Sequence, residues 1–232
     1  MATPIDWPID LVPQEASFFF VPNTLVSRSP FSRAQQVQIR GPATWRATVA
    51  FGTADAEMSA RLDALLARLD GAAGEVRVWP FMRRLPRGTG RGYGMGAAIP
   101  TTWPAGTTWP AGTTWPSYQP PEAPRVRVAA AQGADSISTE GWRPAEVVLK
   151  AGDYIGLGGL LAIVTADVVP DSAGNAVIAI APRLRAAVAA EVPLVLDRPR
   201  LRMRLRDDGG IENPTRPGGF ASYTITLEES VP

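Results

Sequence analysis

Residues 146–188, EVVLKAGDYIGLGGLLAIVTADVVPDSAGNAVIAIAPRLRAAV, decide how this chain is read. They predict four short strands: 147–149, 154–157, 160–166 and 176–181. The breaks fall at Gly152-Asp153, Gly158-Gly159 and Asp171-Ser-Ala-Gly-Asn175. Glycine and asparagine tolerate positive φ, and aspartate bonds its own backbone, so each break suits a tight turn. The stretch reads as a self-contained β unit, and no residue in it reads as a catalyst.

Amphipathic segments lie on both sides of it. Trp45, Ala47, Val49 and Phe51 alternate with Arg46, Thr48 and Ala50, the period of a half-buried strand. Before them, the apolar block Phe18–Val21, closed by Pro22, reads as an edge strand or an extended arm. Leu62, Leu65, Leu66 and Leu69 build one apolar stripe of a helix over about 55–70, with Thr53 or Asp55 as its N-cap and Gly71 at its stop. Val76 and Val78 share a face of a further strand. Toward the C-terminus, 194–196 makes a short strand. Leu201, Met203 and Leu205 then alternate with Arg202, Arg204 and Arg206, and Tyr223, Ile225 and Leu227 share a face of the last strand. The terminal strands must find partners for their apolar faces, which points to each other across the central unit.

The expected architecture is α+β, mainly β. Residues 1–95 and 197–232 form one discontinuous β domain with a flanking helix. Residues 96–124 are a Pro/Trp-rich linker, and 125–196 a small inserted β domain. In the linker TTWPAG occurs twice and TTWP closes it at Pro116. A six-residue unit is too short for a solenoid and reads as turns or extended chain.

Composition narrows the chemistry. Of 232 residues 45% are apolar, which supports real cores, and 22 glycines with 23 prolines favour turns and short strands over helical bundles. The net charge of +1 gives the whole chain no polyanion-seeking character. Without cysteine or histidine there are no disulfides, no thiolate chemistry, none of the usual zinc or haem ligands and no imidazole base. No metal and no cofactor is expected. The start of the chain is acidic and proline-rich rather than signal-like, and no apolar run approaches the roughly 20 residues that span a bilayer. A soluble protein without membrane insertion is expected.

The motifs that suggest chemistry each meet a plainer reading. Gly92-Tyr-Gly94-Met-Gly-Ala97 matches the dinucleotide pattern, but Pro100 and the repeats follow where a helix is required. Arg83, Arg84, Arg87 and Arg91 with Tyr93 suit phosphate contact and base stacking; a solvated loop, or pairing with acidic groups of a neighbouring subunit, is the plainer reading. Arg202, Arg204 and Arg206 place cations about 7 Å apart on one strand face, to be met by Glu228, Glu229 or another chain. Asp171–Asn175 lacks the alternating oxygens of a calcium loop, and Asp153 reads as a turn residue. Asp153, Asp167 or Glu140 are the carboxylates a glycan hydrolase would need, with nothing to set their separation. Lys150 has no S-x-x-K before it. No catalytic residue is assigned, and the chain is read as a non-enzyme. Trp103, Trp109 and Trp115 suit an interface or sugar stacking, the latter implying a carbohydrate-binding module for host-surface attachment. The candidate subunit-interface residues are Arg83, Arg84, Trp103, Trp109, Trp115, Arg202, Arg204 and Arg206.

Several phrases carry a resemblance: Gly141-Trp-Arg-Pro144, Val148-Leu-Lys-Ala-Gly-Asp-Tyr-Ile155, Leu161-Ala-Ile-Val-Thr-Ala-Asp167, Gly174-Asn-Ala-Val177 and Ile180-Ala-Pro-Arg-Leu184. With Ser29-Pro-Phe-Ser-Arg33, Trp45 on a strand, the leucine-striped helix and Gly71, they resemble the distal tail proteins of long, non-contractile-tailed phages and prophages of proteobacteria. The likeness spans roughly 29–85 and 140–230 and leaves the repeats outside. It implies a virion protein made in the host cytoplasm, a tail-tube-like β-sandwich with a flanking helix and a barrel-like insertion. It further implies a homohexameric ring between the tail tube protein and the tail-tip hub proteins, with a channel for the genome. No functional residue is carried over.

Overall fold

A computed structural model describes residues 3–93, 123–208, 215–216 and 220–231. In chain order the elements are β1 (Ile5–Asp6), β2 (Glu15–Arg28), β3 (Gln35–Ala54), α1 (Ala56–Leu69) and β4 (Val76–Val78). Then follow β5 (Arg125–Val126), β6 (Ser136–Glu140), β7 (Tyr154–Leu157), β8 (Leu160–Val164), β9 (Ala176–Ala181) and β10 (Leu194–Val195). The chain closes with β11 (Leu201–Leu205), β12 (Thr215–Arg216) and β13 (Phe220–Glu229). The protein is mainly β, with two sheets and one α-helix among the described residues.

The first sheet has the order β1-β4-β11-β13-β3-β2, with β12 paired to β13. Its strands come from both ends of the chain. The alternation in β3, β11 and β13 puts Trp45, Ala47, Val49, Phe51, Leu201, Met203, Leu205, Tyr223, Ile225 and Leu227 on one buried face. The leucine stripe of α1, with Trp7 and Leu11, covers part of that face. Asp55 caps the helix, its Oδ1 accepting the Met58 N–H at 2.8 Å. Asp70, in the left-handed region, ends it. Tyr223 reaches the helix, its hydroxyl 2.9 Å from Ser59 Oγ and 2.8 Å from Asp63 Oδ1.

The second sheet, order β10-β7-β8-β9-β6-β5, is antiparallel throughout. It closes on itself. Leu194 N–H donates to Pro124 O at 2.8 Å and Val126 N–H to Val192 O at 2.9 Å, joining the β10 end to the β5 end. Closure leaves little edge to protect. Ile137, Ile155, Leu157, Val164, Ile178 and Leu194 fill the interior. The Asp171 turn is as expected: its Oδ1 accepts the N–H groups of Ala173 and Asn175, which hold its carboxyl below the usual range, the Asn175 bond first. Gly174 is required here, with φ +77° and the Trp142 carbonyl 2.5 Å from where a Cβ would sit.

The structure departs from the expected strands at three places. Residues 147–149 form no strand; Leu149 makes a single bridge to Val168, because the carbonyls of Val147 and Val148 are taken by the N–H groups of Thr89 and Gly90 at 3.0 and 2.9 Å. The third predicted strand, 160–166, ends early, β8 stopping at Val164, whose carbonyl accepts the Gly152 N–H at 2.7 Å. The block around Phe18 is the middle of a 14-residue strand. Pro22 does not stop it, since the register shifts between Val21 and Asn23 and an edge strand tolerates a missing donor there.

Candidate functional site

The two sheets meet along a seam built from Trp45. Its indole lies 6.0 Å from the Tyr154 ring and 5.7 Å from Phe20, and its Nε1 donates to Leu161 O at 3.0 Å. Tyr154 and Leu161, from the barrel, thereby join the core of the first sheet. Beside them Glu229 is buried; it accepts the Trp45 N–H at 2.9 Å and pairs with Arg185 at 3.0 Å. Burial pushes its carboxyl above the usual value, against the opposing pull of the Trp45 N–H and Arg185.

The arginine-rich loop after β4 lies across the same seam. Asp153 is more than a turn residue: it is buried and accepts Arg87 Nε at 2.9 Å, the Arg87 backbone N–H at 3.1 Å and the Lys150 N–H at 2.8 Å. Arg83 sits 6.0 Å over the Tyr154 ring, and Arg84 lies 3.7 Å from Asp197. Burial raises the Tyr154 hydroxyl pKa, and Arg83 partly opposes this. The arginines of the loop stay exposed, as a solvated loop requires, but the loop is also anchored to the barrel by these contacts. Gly88 and Gly90 press so closely on Val148 that a Cβ at either would lie 2.4 or 2.5 Å from its carbonyl oxygen. Tyr93 is no stacking platform. It is buried edge-on to Trp142, and its hydroxyl accepts the Arg143 N–H at 2.6 Å.

On the outer face of the first sheet the charges run across the strands. Arg204 pairs with Glu75 at 3.1 Å and Arg46 with Glu228 at 3.5 Å. The expected partners of Arg204, Glu228 and Glu229, are corrected accordingly. Glu228 is its register neighbour but is engaged by Arg46, and Glu229 points to the buried face. The Ser230 hydroxyl foremost, and then Arg204, hold Glu75 below the usual carboxylate range, with burial opposing. Arg206 and Arg202 are exposed. One row nearer the barrel, Arg77, Arg198, Arg200 and Arg202 line a cleft of about 430 Å³. Sequence reasoning missed this group, although continuing the arginine alternation of β11 back to Arg200 and reading Arg77 opposite Val76 and Val78 signals it.

The third feature is a ribbon. β13 pairs with β3 only as far as Arg46, so residues 35–44 of β3 pair with β2 alone and project roughly 30 Å beyond the sheet. Thr24, Val26, Val37 and Ile39 share one face of this ribbon, as the pairs Val26–Val37 and Thr24–Ile39 require. Val26, Val37 and Ile39 are 46%, 56% and 71% exposed, and Phe31, at the tip, 97%.

The carboxylates considered for hydrolysis have separate partners. Glu140 pairs with Arg125 at 2.8 Å, Asp167 accepts the Ala151 N–H at 2.8 Å, and Asp153 holds Arg87. Among the described residues no group of His, Cys, Asp or Glu is placed to hold a metal, and no helix is long and apolar enough to cross a membrane. Trp103, Trp109, Trp115 and the TTWPAG repeats lie outside the described residues, as do residues 94–97 of the glycine motif. No protein-family model matches the chain, and no curated protein matches it in sequence.

Proposed function

We propose that this protein is a structural component of a phage tail, a distal tail ring that joins the tail tube to the tip hub and leaves a passage for the genome. The reading rests on the phrase-level resemblance and on one structural observation, the β2–β3 ribbon. A two-stranded ribbon is marginally stable alone in water. One that holds Val26, Val37, Ile39 and Phe31 in solvent gains most by laying them on a partner surface. A closed ring supplies that surface with the same contact at every subunit. The homo-oligomer is expected to be a hexamer, with tube and hub proteins on its two faces and DNA passing without sequence recognition. The protein acts by binding, without a catalytic step.

Native mass spectrometry of the full chain tests this directly. A closed ring is expected, and antibody labelling of purified particles is expected to mark the distal tail. A chain that stays monomeric at tens of micromolar and labels no tail overturns the reading.

A further inference from the structure

Arg77 and Arg202 are register partners on the antiparallel strands β4 and β11. Both lie on the outer face, since their neighbours Val76, Val78, Leu201 and Met203 are buried. Like charges directly opposite each other destabilise a sheet. In the next row the sheet avoids this, with Arg204 beside Glu75. Here Asp6 answers Arg77 from the β1 side, but further arginines add charge on the other. Arg200 and Arg198, delivered by the turn from β10 to β11, join the pair in lining the cleft of about 430 Å³ with Gly156, Gly159, Val195 and one carboxylate, Asp197.

Three details indicate that the arginines are held together deliberately. The guanidiniums of Arg198 and Arg200 lie 5.8 and 6.0 Å over the ring of buried Trp79, whose π-face offsets part of their repulsion. Arg198 has φ +49°, a left-handed conformation that costs an arginine free energy, and its N–H is fixed on Arg84 O at 2.8 Å. The nearby carboxylates answer only part of this charge. Asp6 serves Arg77 at 2.7 Å and Arg200 at 2.8 Å, while Asp197 lies 3.7 Å from Arg84 and its Oδ1 has no hydrogen-bond partner among the described residues. Counting Arg84, five guanidiniums meet two carboxylates, and among the described residues Arg202 makes no hydrogen bond or ion pair, its charge reaching Glu75 only weakly.

We propose that this cleft binds a phosphate group. A single carboxylate leaves most of the excess charge unanswered, whereas a tetrahedral dianion accepts forked N–H donors from several guanidiniums at once. Gly159, with nothing within 4 Å of where a Cβ would sit, leaves room for the group to approach the backbone. Arg202 is the principal ligand, Arg198 and Arg200 flank it, and Trp79 positions the flanking pair. The site is independent of the ring reading, because a monomer presents it complete.

Isothermal titration of the full chain with pyrophosphate, at constant ionic strength in chloride, tests the site. Saturable binding is expected, weakened about ten-fold or more by Arg202→Gln and by Arg198→Gln and unchanged by Arg68→Gln on the far side of α1. Circular dichroism checks that each variant folds, which the exposure of Arg202 favours. No heat at millimolar pyrophosphate, equal affinity in R202Q, or binding of polyglutamate as tight as pyrophosphate would each overturn the assignment. An unphosphorylated oligothymidine distinguishes the sources. Competition with pyrophosphate marks the internal phosphodiesters of a nucleic acid as the ligand, and its failure marks a free or terminal phosphate.

Discussion

The barrel and the open sheet solve the same problem in opposite ways. Every barrel strand has neighbours on both sides once Leu194 and Val126 close the ring, and the unit is built from 71 consecutive residues, Arg125 to Val195. The open sheet draws its strands from the two ends of the chain and leaves β2 as a 14-residue edge that runs on into a bare ribbon. A closed unit has little left to offer a partner, while an open one keeps unpaired N–H and C=O groups and apolar side chains in reserve. The contrast puts stability in the barrel and the seam, and on the proposed function it gives association to the ribbon.

The strongest way to break that contrast is at Trp45, which belongs to both units. Trp45→Ala is expected to cost about 3–5 kcal/mol and to destabilise sheet and barrel together in a single denaturant transition. Two separated transitions would mean that the barrel stands without the seam. Asp153→Asn is next. It replaces a charged acceptor of three N–H donors at a cost of about 1.5–3 kcal/mol. Amide exchange at Thr89 and Gly90 should accelerate first, because their bonds to Val147 and Val148 hold the loop on the barrel.

Glu229 gives a smaller effect with a definite sign. Its carboxyl pKa is raised in the fold, so the folded state binds the proton more tightly. The protein then loses stability as pH rises from the ordinary glutamate value through the raised one. Comparing Glu229→Gln with the parent across that window should show the parent's relative stability falling with pH. A flat difference would mean that Arg185 and the Trp45 N–H cancel the burial cost. The smallest effect on folding is expected on the ribbon. Val37→Ser with Ile39→Ser should change monomer stability by about 0.5 kcal/mol or less yet abolish ring formation on native mass spectrometry. Rings that persist would move the association surface elsewhere.

Much of the barrel was legible because its signals are local. The β7 and β9 bounds follow from apolar runs stopped by Gly152-Asp153, Gly158-Gly159 and the Asp171 turn. The helix was equally plain from its stripe, with Asp55 proving the cap of the two candidates, Thr53 and Asp55. What stayed hidden was partnership. Asp153 looks like any turn aspartate until the loop carrying Arg87 arrives from 66 residues away. Residues 147–149 look like a strand until that same loop takes the carbonyls of Val147 and Val148. The phosphate cleft needs Arg77 brought beside Arg202, a neighbourhood that no window of sequence contains.

Periods, caps and turns, and hence a mainly β protein with one flanking helix, can be read along the chain, because each depends on a few adjacent residues. Which strands became neighbours, and so which charges were matched, follows from the folded arrangement alone. Register between distant strands is set by burying whole apolar faces together. The outer-face charges follow as passengers: Arg204 lands beside Glu75, and Arg77 beside Arg202.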